Sequence, residues 1–173
     1  FYEIMLETGK RKGFRVRKSA YYENMYDLFS KNNEIKYLVT RLDLNRYISL
    51  LNEEIDENIK KKEALSDSRC NDGKRKSYDE TINSLRKKVD IAKQQKKEKG
   101  ISIITLAGAM FMMTDPEIVY LSSGNYEKYL MYNSQYLIQW EMIKYAIEHG
   151  YKRYNFYGTP TTNKTDKTIF FTF

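Results

Sequence analysis

Two apolar heptad seams flank one polar segment in the middle of this sequence. Leu44, Ile48, Leu51, Ile55, Asn58, Lys62 and Leu65 recur at alternating spacings of four and three, and Tyr78, Ile82, Leu85, Val89, Ala92 and Lys96 repeat that alternation. Between them, residues 66–76 contain Asp67, Asn71, Asp72 and Gly73, residue types that interrupt helices. Folding the seams together pairs Leu65 with Tyr78, Asn58 with Leu85, Ile55 with Val89, Leu51 with Ala92 and Ile48 with Lys96, all centred on Asn71 and Asp72. This predicts an antiparallel coiled-coil helical hairpin over residues 44–99. At ~1.5 Å rise per residue a helix over residues 42–65 is about 35 Å long, so the hairpin is expected to project as an arm. Its distal half, interrupted by Asn58 and Lys62, is expected to be the less stable one.

The same window carries the charge. The chain has 30 Lys and Arg against 23 Asp and Glu, a formal +7. Residues 60–99 hold fourteen basic and seven acidic residues, so the excess lies entirely there. Arg69, Lys74, Arg75 and Lys76 collect at the expected tip, with Lys87 and Lys88 further along. Such a segment is either a phosphate-contacting surface, where counterion release supplies affinity, or a solvated helix face. Both readings stand. Cys70, beside the tip, is the single cysteine, so an intramolecular disulfide and a thiolate zinc site are excluded and a reducing compartment is expected.

The flanks read as an α+β domain made of residues 1–43 and 100–173. Tyr21–Phe29 has helical spacing, and Lys36–Leu42 reads as a strand. Ile101–Met113 and Ile118–Leu121 are two further strands joined by a turn at Asp115-Pro116. Because the hairpin brings Leu44 and Lys99 together, strands 36–42 and 101–113 are expected to be antiparallel neighbours. A helix follows from Ser134, capped by Asn133 or Ser134, with Tyr136, Leu137, Trp140, Ile143, Lys144 and Ile147 on its apolar face and Gly150 beyond its end. His149 falls in the last turn, as a dipole-complementing residue rather than a base. Tyr151–Tyr157 closes the pattern as a strand.

The sequence holds no glycine-rich nucleotide loop, no paired histidines at metal spacing and no Ser or Cys nucleophile beside a histidine. No metal or cofactor is expected. Nor does any apolar run approach the ~20 residues a membrane helix needs, which points to a soluble chain. Aromatic residues make up 14% of the chain, and most are assigned to the core. The polar-aromatic stretch from Tyr120 through Ser122, Ser123, Gly124 and Asn125 to Tyr126 leaves a buried strand and is the place where a site is expected.

Thr8-Gly9-Lys10-Arg11-Lys12-Gly13-Phe14, the basic hairpin, and Tyr136-Leu137-Ile138-Gln139-Trp140-Glu141-Met142-Ile143-Lys144-Tyr145-Ala146 leading into Tyr154-Asn155-Phe156-Tyr157-Gly158 together resemble the FemABX family, and by its arm the FemA and FemB branch. The resemblance implies an acetyltransferase-like (GNAT-like) domain with the arm inserted, the later part of the second of two such domains. It further implies transfer of an amino acid, glycine by preference, from aminoacyl-tRNA to the stem peptide of a lipid-linked peptidoglycan precursor. Cell-wall biogenesis and antibiotic resistance follow as its setting. By resemblance Arg11 lies near the precursor diphosphate, and Tyr120 and Ser123 line the peptide groove. Arg69, Lys74, Arg75, Lys76, Lys87 and Lys88 are the expected tRNA contacts. No cofactor and no DNA partner are implied; the location implied is the cytoplasm, peripheral to the inner face of the membrane.

In one respect the sequence departs from the family. Where relatives continue after the Tyr-Gly strand into a glycine-containing acidic stretch and a Phe-Lys element, this chain reads Thr159-Pro160-Thr161 through Phe171-Thr172-Phe173. The family's reactive lysine has no counterpart. With an opening at Phe1, this suggests a fragment, and the rival expectation is a noncatalytic homologue whose arm docks a protein or tRNA, or mediates self-association.

Overall fold

A computed structural model of the chain describes residues 1–66 and 71–157 and the backbone of 170–172. The elements run α1 (Tyr2–Lys12), α2 (Ser19–Phe29), β1 (Ile35–Asp43), α3 (Leu44–Glu63), α4 (Asp72–Lys99), β2 (Ile103–Thr114), β3 (Glu117–Asn125), α5 (Ser134–Glu148), β4 (Arg153–Asn155) and β5 (Phe170–Thr172). They form two compact units, Phe1–Arg41 with Thr105–Phe173, and Leu42–Ile104.

The first unit is a mixed α+β layer built on a sheet of order β1-β2-β3-β4-β5. Met113 N–H donates to Glu34 O at 2.7 Å, and Leu38 O faces Gly108, so β1 and β2 run antiparallel as neighbours. β2 and β3 form a hairpin closed at Thr114 and Glu117 around a cis Asp115-Pro116 bond. β3 and β4 are parallel, Ile118 opposite Tyr154, and a parallel pair needs a crossover, which α5 provides. β2 is an interior strand. Ile104, Leu106, Ala107, Ala109, Met110, Phe111 and Met113 are all buried, which is why its sequence is a continuous apolar run instead of an alternating one.

Two features of this unit differ from the expectation. Residues 2–12, which precede the first expected helix and for which the sequence predicts no element, form α1. Its buried stripe is Ile4, Met5, Thr8 and Gly9, and half of that stripe carries no apolar signal. The helix ends at Gly13, whose φ of 72° is the left-handed conformation that glycine adopts without strain. The second difference is the orientation of α5. Its buried stripe is Ser134, Ile138, Met142 and Ala146, at a spacing of four, whereas Tyr136 (77% exposed), Leu137 and Trp140 (58%) face outward. Both sides of α5 carry large apolar groups, so hydrophobicity does not select a side. The small Ser134 and Ala146 allow the close approach to the sheet. Asn133 precedes the helix at φ 49°, but its side chain makes no capping bond.

In the second unit α3 and α4 pack antiparallel along Leu51, Ile55, Ile82, Leu85 and Val89, with Tyr47, Ile48 and Ile59 against them. Asp43 caps α3 by accepting from Asn45 N–H (2.9 Å) and Arg46 N–H (3.2 Å). The distal seam is corrected. Ile59, not Asn58, joins the apolar cluster, and Asn58 turns back to donate to Glu54 O at 2.7 Å. Near the turn Lys62 pairs with Asp79 at 2.5 Å, and Arg75 donates to Leu65 O at 2.8 Å. These contacts centre about one residue before the expected Asn71 and Asp72. The interruption is also shorter than expected, because α4 begins at Asp72 and includes Lys74, Arg75 and Lys76. At the base Leu44 N–H donates to Ser102 O at 2.8 Å, and Gly100 at φ 64° ends α4.

Candidate functional site

Strict alternation along β3 would place Tyr120 and Ser123 on opposite faces of the sheet. A β-bulge prevents this. Met110 pairs with Ser122 but Phe111 pairs with Tyr120, so Leu121 is an extra residue and the alternation reverses beyond it. Leu121, Ser122 and Gly124 then face α1, with Ser122 Oγ 3.5 Å from Met5 Sδ, while Tyr120 and Ser123 share the side of α5. The bulge thus joins the two residues expected to line the groove.

On that side the Tyr120 hydroxyl donates to Gln135 Oε1 at 2.9 Å, and Ser123 and Gln139 also hydrogen-bond the phenol. Gln135 is held in turn by its own amide, which donates to Gly124 O at 2.8 Å. The fully buried Tyr154 donates to Gln139 Oε1 at 2.5 Å, and the Phe111 ring lies 5.3 Å from Tyr120 and 6.4 Å from Tyr154. Burial pushes the Tyr120 phenol above its ordinary value, opposed by the bonds from Ser123 and Gln139. Tyr154 is raised further, by burial first and by Tyr120 second. Both phenols therefore stay protonated at neutral pH. They can orient and donate, but they cannot serve as bases. Gln135 and Tyr154 are the partners that periodicity alone misses, since glutamine on a helix gives no hydrophobic signal.

Arg11 lies in the last turn of α1, and its Nε is buried with no hydrogen-bond partner. Three residues earlier, Thr8 ties the helix to the end of β3: its Oγ1 accepts from Asn125 N–H at 3.1 Å while donating to Ile4 O at 2.8 Å. No hydrogen bond joins Arg11 to Tyr120 or Ser123 among the described residues. Arg11 is thus near the end of the strand that carries them without being part of their network.

The expected tRNA contacts lie on α4. Eleven residues at ~100° each bring Lys76 and Lys87 to the same side of the helix, opposite Ile82, Leu85 and Val89. Both are exposed, as are Lys88 on one flank and Lys74, which the same count puts about 160° from Lys76, on the side of the seam. Arg75 differs, being half-buried and committed to Leu65 O. Arg69 and Cys70 lie outside the described residues, as do Gly158 and residues 159–169, where the departure from the family falls. Among the described residues no group of three or more His, Cys, Asp and Glu is placed to hold a metal ion, and no helix is long and apolar enough to cross a membrane.

Known proteins share both sequence and fold with this chain. It is 29% identical over 163 residues to "Aminoacyltransferase FemA" of Staphylococcus epidermidis, covering 91% of this chain and 39% of that protein. With "Lipid II:glycine glycyltransferase" of the same species it shares 28% over 171 residues, covering 96% and 40%. The chain thus spans about two fifths of the length of these relatives. Among solved structures, "Crystal structure of FemX" superposes with a TM-score of 0.67 at 27% identity, over 96% of this chain and 43% of that one. The model of the FemAB family matches residues 1–169, almost the whole sequence and both structural units. The chain belongs to the FemAB family.

Proposed function

We propose that this chain forms part of a transferase that moves an amino acid, glycine by preference, from aminoacyl-tRNA to an amine on the stem peptide of a lipid-linked peptidoglycan precursor. In this reaction the amine nitrogen attacks the ester carbonyl. The N–C bond forms as the ester C–O bond breaks, the amine loses a proton, and the ribose hydroxyl of the tRNA leaves carrying one. The ester is already activated, so the protein's work is to position two large substrates and exclude water. In this reading the α+β unit is an acetyltransferase-like domain, and residues 44–99 are a coiled-coil arm inserted in it. Tyr120 and Ser123 line the peptide groove, and Arg11, whose guanidinium has an unused buried donor, grips the diphosphate. Lys76 and Lys87, with Lys74 and Lys88 also exposed on α4, meet tRNA phosphates.

The observation that carries this reading is the match over nearly the whole chain to proteins named as aminoacyl- and glycyltransferases. The test is a titration of fluorescent glycyl-tRNA across a salt series against the chain and a Lys76→Glu/Lys87→Glu variant. Binding should weaken with salt, and the variant's slope should be shallower by about one for each phosphate it no longer neutralises. Equal affinity and equal slope would remove the arm from tRNA recognition.

A further inference from the structure

Beside α2, on the face of the sheet opposite the Tyr120 network, aromatic rings line an open cleft of about 470 Å³. One wall is a single stripe of α2, Ser19, Tyr22, Glu23, Tyr26 and Asp27, and the other is Phe1, Tyr2 and Tyr37. The rings brace one another. Tyr22 stands edge-on to Phe1 at 5.4 Å, Phe1 edge-on to Tyr37 at 5.1 Å, and Tyr26 lies 5.9 Å from Tyr37. The Tyr37 hydroxyl donates to Tyr22 O at 2.9 Å, locking strand to helix, and Tyr22 is anchored below in the core with Met5, Ile35 and Met110. The cleft is therefore preformed.

Its rim carries the second observation. Glu23 and Asp27, four apart on α2, are exposed at the mouth and make no ion pair or hydrogen bond among the described residues. Like charges at that spacing cost a helix a few tenths of a kcal/mol. In a chain of net charge +7 this is an anionic spot set over ring faces, and no ion pair among the described residues neutralises it. Carboxylates beside aromatic faces are complementary to a cation with an apolar stem. The carboxylates attract its charge, the rings attract it through their quadrupole, and the stem packs on the rings. A hydrated metal ion would gain nothing from the rings, and an anion would be repelled.

We propose that this cleft binds a primary ammonium on a flexible chain, held by Glu23 and Asp27 against Tyr22, Tyr26 and Tyr37. The cleft lies on the face of the sheet opposite Tyr120 and Ser123, so this binding is separate from the proposed peptide groove and does not rest on the preceding reading.

The test titrates the chain, followed by NMR and calorimetry, with Nα-acetyl-lysine N-methylamide and with triglycine amide. The first carries its amine on a side chain and the second at a chain terminus. The Nε-acetylated lysine compound is the neutral control. Shifts should centre on residues 19–27 and 37 and be absent with the control. Glu23→Gln/Asp27→Asn, at two exposed positions, should weaken binding about tenfold or more, the scale of one charge-assisted hydrogen bond. Tyr26→Leu should weaken it while leaving the far-ultraviolet spectrum unchanged. The better of the two amines identifies the source. Binding of neither, equal binding of the acetylated control, or full affinity in the double variant would overturn the proposal. None of these results bears on the tRNA titration, so the two readings fail separately.

Discussion

Gly124 of β3 lies beneath Thr8 of α1 so closely that a β-carbon at position 124 would come 2.5 Å from Thr8 Oγ1 and 2.9 Å from Ile4 O. The helix can descend onto the strand only because that carbon is missing. Gly124→Ala should therefore cost about 1–3 kcal/mol, the range for overpacking a tight contact. Thr8→Val, which keeps the volume but leaves Asn125 N–H without its acceptor, should cost a similar amount, about 1–3 kcal/mol. Urea denaturation of both variants checks this, and a neutral Gly124→Ala would mean that the helix can lift away freely.

The two phenols of the α5-facing network should separate by burial. Tyr154→Phe strands Gln139 Oε1 inside the protein and should cost about 1–3 kcal/mol, whereas the more accessible Tyr120→Phe should cost about 1 kcal/mol. If the groove reading holds, Tyr120→Phe should depress substrate affinity more than its stability loss explains. Parallel denaturation and binding curves measure the difference.

Burial pushes the Tyr37 phenol up to about 12 from its ordinary 10.0. Because the folded protein holds this proton more tightly than the unfolded chain, the stabilisation is complete below pH 10 and is lost as pH rises towards 12. Alkaline unfolding followed by phenolate absorbance should show it, and Tyr37→Phe should flatten the dependence over that interval.

Leu85, buried between α3 and α4, and Leu50, half-exposed on α3, give a matched pair. Leu85→Ala should destabilise the helical unit by about 2–5 kcal/mol, while Leu50→Ala should fall within about 0.5 kcal/mol of the parent. Helical circular dichroism on heating reads both. Equal effects would mean that the seam is not where the helices meet.

Much of this architecture can be read from the sequence. The helices of the second unit announce themselves through Leu51, Ile55, Ile82, Leu85 and Val89, because a seam buried on one side only leaves a strict period. The β2–β3 hairpin is legible from two apolar runs around Asp115-Pro116. What escapes is decided by fit instead of hydrophobicity. α1 buries Thr8 and Gly9, residues chosen for close approach and one hydrogen bond, and so gives no apolar stripe. α5 is apolar on two sides, and the sheet takes the side with the small residues. Ile59 replaces Asn58 in the seam by a local shift of one position. At the candidate site, Tyr120 and Ser123 stand out as polar residues leaving a strand, but their meeting depends on Leu121 being extra, and a bulge has no spacing signature of its own.

Trp140, the chain's single tryptophan, stands 58% exposed on the outward side of α5. Its emission therefore begins at the long wavelengths of a water-bathed indole and comes from that surface alone. Anything that covers the outer side of α5 will shift this spectrum to the blue, while events confined to the cleft on α2, on the other face of the sheet, leave it where it was. The molecule thus carries a built-in optical reporter for one of its faces, and needs no label to be read.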